Sequence, residues 1–135
     1  MKNLTDRMPR FLRLVLFADA VTSGATGMLM ILSAGFLEQL LGVPAALLRY
    51  SGFGLLPFAA VVSLVAARTD PSRGAVWAIL VLNALWAADS ILILLTGWIE
   101  PTGLGYAFII GQALVVAAFA ELQYVGLRKF HPTTA

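Results

Sequence analysis

PTGLGYAFIIGQALVVAAFA, residues 101–120, places twenty uncharged side chains in a row between Glu100 and Glu121. About 20 residues at roughly 1.5 Å of helical rise each cross the ~30 Å hydrocarbon core of a bilayer. The stretch therefore reads as a transmembrane helix, and it sets the class of the whole chain. Its closest counterpart is YSGFGLLPFAAVVSLVAA, residues 50–67, eighteen uncharged residues between Arg49 and Arg68. Two more apolar runs each carry one charge: Asp19 between Leu14 and Leu37, and Asp89 between Gly74 and Ile99.

Composition agrees with four spans. Of 135 residues, 60% are hydrophobic and 12% charged, and the mean hydropathy is +0.89. Soluble domains carry roughly a quarter charged residues, and disordered chains need high charge with few apolar residues; both classes are excluded. With no cysteine and one histidine, His131, the chain has no disulfide, thiolate metal site or bis-histidine haem. No cofactor or metal is expected. The net charge of +2 is scattered over the ends of apolar runs instead of forming a patch, which argues against nucleic acid.

The expected architecture is all-α: a compact antiparallel four-transmembrane-helix bundle forming one domain, 1–135, with spans at about 11–41, 44–67, 74–99 and 102–126. Gly42-Val43-Pro44 supplies a helix stop and a proline suited to a new first turn. Asp70 is the expected N-cap before Pro71, and Glu100-Pro101-Thr102-Gly103 is a similar break. Connections this short make consecutive helices antiparallel. Lys2, Arg7, Arg10, Arg13, Arg68, Arg73, Arg128 and Lys129 fall on one side and Arg49 alone on the other, a bias of 8:1. The positive-inside rule then puts both termini in the cytoplasm (N-in/C-in), with a bacterial cytoplasmic, or inner, membrane as the expected location. The first apolar run is too long for a cleaved leader and is expected to be retained.

A charged side chain in a span costs about 2.5–3.5 kcal/mol on insertion scales, so acids there face a bundle interior or a watery cavity. Asp19 lies eight residues into its span, about 12 Å, and Asp89 fourteen, about 21 Å. The offset is too large for a shared proton. By depth, Asn83 is level with Asp19, and Gln112 with Asp89. Asp19, Thr22, Ser23 and Thr26 follow the i, i+3, i+4, i+7 spacing of one helix face, which is expected to look inward. Trp86 sits three residues before Asp89, where its indole N–H is expected to find that carboxylate. Glu121 is expected to pair at the inner edge with Arg13 or Arg128. Small residues at Ala20, Gly24 and Gly27 permit close backbone approach and offer a seam for a second copy.

No catalytic constellation is present, so an enzyme is not expected. The leading expectation is a small polytopic membrane protein that binds an apolar or cationic small molecule, or a membrane lipid, in an intrabundle pocket. The lining residues would be Asp19, Thr22, Ser23, Asn83, Trp86, Asp89 and Gln112. Two alternatives are a proton-coupled small-molecule transporter working as a homodimer and a structural or accessory membrane subunit.

Overall fold

The computed structural model describes residues 8–130; Lys2, Arg7 and His131 lie outside the described residues. The fold is all-helical, with α1 at Arg10–Leu32, α2 at Ala34–Leu41, α3 at Ala45–Ala67, α4 at Arg73–Thr96 and α5 at Gly103–Arg128. Four of them, α1, α3, α4 and α5, are long and apolar enough to cross a membrane. Their outward faces carry large apolar side chains such as Leu14, Val21, Leu32, Leu64, Leu95 and Leu114, a surface compatible with a membrane protein.

The first apolar run is two helices, not one. Ser33, with φ −116° and ψ 23°, interrupts the helix that was expected to continue to Leu41. Its N–H still donates to Leu29 O at 2.9 Å, so the last turn of α1 is satisfied at the break. In α2, Ala34, Leu37 and Leu41 share a face and are buried. Gly42, at φ 70°, then ends α2 in the left-handed conformation that glycine adopts without a Cβ penalty. Glu38 Oε2 accepts from Ala45 N at 2.6 Å, satisfying one of the unpaired donors that open α3.

Other boundaries move for identifiable reasons. The N-cap of α4 is Ser72, not Asp70: its hydroxyl accepts from Ala75 N at 3.0 Å. Thr102 does the same for α5, accepting from Gly105 N at 3.1 Å. Helix α4 stops at Thr96, before Gly97 at φ 71°, so Trp98 lies beyond its end and is exposed.

Helices α1 and α3 pack closely and run in opposite directions: Arg13 meets Ala66 at one end and Gly27 meets Gly52 further along. A Cβ added at Gly52 would lie 2.7 Å from Gly27 O, so the two backbones approach as only glycines allow. The small-residue face of α1 is thus occupied by α3 of the same chain; Gly24 likewise faces Ala59. The seam expected for a second copy at Ala20, Gly24 and Gly27 is used within the chain.

Helices α4 and α5 form the second pair, with Trp77 and Tyr124 edge to face at 5.9 Å. The two pairs join where α1 crosses α5, Leu12 lying against Gly126. Helix α3 barely touches α4. Arg13 donates to Ala66 O and Arg68 O at the end of α3, and Arg73 donates to Leu127 O at the end of α5, so two arginines satisfy terminal carbonyls of other helices. Arg13 is thereby engaged with α3, and Glu121 is exposed without the expected ion pair.

Buried apolar side chains fall into two clusters. One, near this basic end, includes Leu12, Leu16, Val62, Val76, Ile79 and Leu127. The other, near α2, includes Met30, Leu37, Leu41, Leu48, Ile99 and Ile109. Between them lies a polar layer.

Candidate functional site

The polar layer is centred on Asp19, which is 1% exposed. Its Oδ1 accepts from Ser23 Oγ at 3.1 Å, one turn along α1. Its Oδ2 accepts from Asn83 Nδ2 of α4 and from Gln123 Nε2 of α5, each at 2.7 Å. Asn83 Nδ2 also donates to Gln123 Oε1 at 3.0 Å, which closes a triangle linking three helices. All three neighbours of the carboxyl group are donors, and Gln123 is fully buried at 0% exposure. Such a cluster ties α1 to the α4–α5 pair, with Asp19 buried among its donors. Asp19 lines neither of the two cavities described next.

Toward α2, a cavity of about 270 Å³ opens between the two helix pairs. Its walls are mostly apolar, with Met30, Leu47, Leu48, Ile93, Phe108 and Ile109 among them. Besides Trp86, Ser90 and Gln112, three polar side chains reach it from three helices: Thr26 on α1, Ser51 on α3 and Asp89 on α4. None of the three has a side-chain hydrogen bond or ion pair with a described residue. Trp86 and Gln112 complete the wall, joined to each other because Trp86 Nε1 donates to Gln112 Oε1 at 2.7 Å. Gln112 Nε2 in turn donates to Ile109 O at 2.9 Å, and Ser90 Oγ donates to the backbone carbonyl of Trp86 at 2.8 Å.

A second cavity, about 280 Å³, lies on the other side of Trp86. It is lined by Gly54, Leu55, Phe58, Leu82 and Val116, with Ser23 and Asn83 at its polar edge.

The structure therefore separates residues that the sequence groups together. Asn83 is level with Asp19 and bonded to it, and Ser23 joins them. Asp89, Trp86 and Gln112 line the cavity toward α2, and Asp89, expected to face the bundle interior, is itself exposed. Trp86 donates to Gln112, not to Asp89. Thr22 is exposed on the outer surface, contrary to the inward face expected for it. At about 100° per residue, position i+3 lies about 60° to one side of Asp19 while i+4 lies about 40° to the other. The contacts lie on the Ser23 side, so Thr22 turns out. Gln123 is the residue that the sequence reading missed. It follows Gln112 by eleven residues, three helical turns, and so lies on nearly the same face of α5.

No protein-family model, curated protein or solved structure matches this chain.

Proposed function

We propose that this chain is a four-span membrane protein that binds an organic cation in the cavity beside α2, with Asp89 as the counter-ion. The observation that carries this reading is the carboxylate of Asp89 lining a mostly apolar cavity without a partner among the described residues. A charge within a span is costly unless something compensates it, and a cationic occupant would do so. Trp86 and Phe108 line the same cavity, and aromatic faces attract quaternary ammonium groups. Thr26 and Ser51 supply hydroxyls for the rest of a polar head. In this reading Asp19, Asn83, Ser23 and Gln123 hold the helices that frame the cavity and do not touch the occupant.

The helices form an antiparallel bundle across the cytoplasmic membrane with both termini inside. Support comes from the described basic residues: Arg13 and Arg68 meet at one end, Arg73 reaches the end of α5 there, and Arg49 is at the opposite end. The cavity then opens in the half of the membrane away from the cytoplasm.

The test is equilibrium binding of benzyltrimethylammonium to protein in lipid nanodiscs, with empty nanodiscs as the blank. Hydrogen bonds and ion contacts to a charged group contribute about 1.5–3 kcal/mol, so Asp89→Asn is expected to weaken binding roughly ten- to a hundredfold. Equal affinity in wild type and Asp89→Asn would refute the assignment.

A further inference from the structure

Trp86 is the common wall of both cavities, and on its far side the character of the lining changes. The cavity beside α2 has hydroxyls and the Asp89 carboxylate; the one beneath Trp86 is lined chiefly by Gly54, Leu55, Phe58, Leu82 and Val116. Along α4, Leu82 lies seven residues before Asp89, about 10 Å at helical rise. The two spaces are thus stacked along the bundle axis, a charged one above an apolar one. The lower space is flanked by α3 and α4, which scarcely meet.

We infer that the cavity beneath Trp86 is an alkyl-chain subsite continuous with the Asp89 site, so that the occupant is a single-chain amphipath with a quaternary or protonated amine head. This rests on the cation site proposed above. The head is compensated by Asp89, and the chain runs past the indole of Trp86 between α3 and α4. Trp86 is the movable partition: its side chain is fixed by one hydrogen bond, to Gln112, so a rotation of the indole joins the two spaces at the loss of that bond.

Gly54 provides a means of testing the lower space alone. A Cβ placed there meets nothing within 4 Å, so Gly54→Leu adds a side chain at the wall of the lower cavity without a backbone clash. Val116→Phe fills the same space from α5 and serves as a second variant. In a Trp77→Phe/Trp98→Phe background, Trp86 is the remaining tryptophan and reports occupancy by its fluorescence. Two probes are titrated in nanodiscs: benzyltrimethylammonium, which has a head only, and dodecyltrimethylammonium with a bromine at the end of its chain, which quenches a neighbouring indole.

The brominated chain is expected to quench Trp86 in the unfilled protein. Either filling variant is expected to weaken binding of the long probe about tenfold, the scale of an overpacking penalty, and to change benzyltrimethylammonium affinity by less than about twofold. Equal weakening of both probes, or an undiminished long probe in both filling variants, overturns the subsite while leaving the head site standing. Failure of benzyltrimethylammonium to bind at all overturns the cation site and the subsite with it.

Discussion

Replacing Asp19 by alanine removes the centre of the polar layer, and the structure sets the size of the loss. Three hydrogen bonds disappear, from Ser23 at 3.1 Å and from Asn83 and Gln123 at 2.7 Å each. Asn83 keeps its 3.0 Å bond to Gln123 Oε1, but Gln123 Nε2 is left inside the protein without its acceptor. Interhelical hydrogen bonds in membrane proteins contribute about 0.6 kcal/mol on average and up to about 1.7, and an orphaned buried donor costs about 1–3 kcal/mol. The expected destabilisation of Asp19→Ala is therefore about 2–4 kcal/mol. Asp19→Asn keeps the shape and one acceptor oxygen, so its loss is expected to be about half as large. Reversible unfolding in mixed micelles, followed by circular dichroism, measures both. Asp89→Ala is the control: with no partner to lose and an uncompensated charge removed, it is expected to be at least as stable as wild type. An Asp19→Ala variant as stable as Asp89→Ala would refute the division of the two acids into a structural one and an exposed one.

Further outcomes follow from the close backbone contacts and the helix ends. Gly52→Ala puts a methyl group 2.7 Å from Gly27 O and is expected to cost about 1–3 kcal/mol in the same unfolding assay. Gly111→Ala meets nothing within 4 Å and should gain about 0.5–1 kcal/mol from helix propensity. Arg13→Ala leaves the carbonyls of Ala66 and Arg68 without their donor; a loss of about 1.5–3 kcal/mol is expected, partly restored in Arg13→Lys. Reporter fusions at either terminus are expected to be active only as cytoplasmic reporters, and a periplasmic signal from either would invert or break the proposed topology.

Spans were legible in the sequence because absence of charge over some twenty residues is a one-dimensional signal. The break at Ser33 was not: nothing in Ile31-Leu32-Ser33-Ala34 forbids a continuous helix, and the break accompanies the burial of Leu37 and Leu41 of α2 in the core cluster that also holds Met30 and Ile99. Depth along a span was also legible, which is why Asn83 was matched to Asp19. Rotation about the helix axis was less so, since it depends on where the neighbouring helices touch. Thr22 turns outward and Trp86 reaches Gln112 instead of Asp89 for that reason. Gln123 carries no charge and lies close to the span's inner end, so depth alone gave it little weight. Its eleven-residue spacing from Gln112 was the available signal.

The central claim is that Asp89 faces an accessible cavity while Asp19 is sealed inside the bundle. Dicyclohexylcarbodiimide, an apolar reagent that enters membranes and modifies carboxyl groups, distinguishes them when the labelled positions are mapped by peptide mass spectrometry, with and without benzyltrimethylammonium. The account predicts modification at Asp89, protection of that residue by the cation and no modification at Asp19. Labelling of Asp19, or labelling of Asp89 that the cation leaves unchanged, would contradict it.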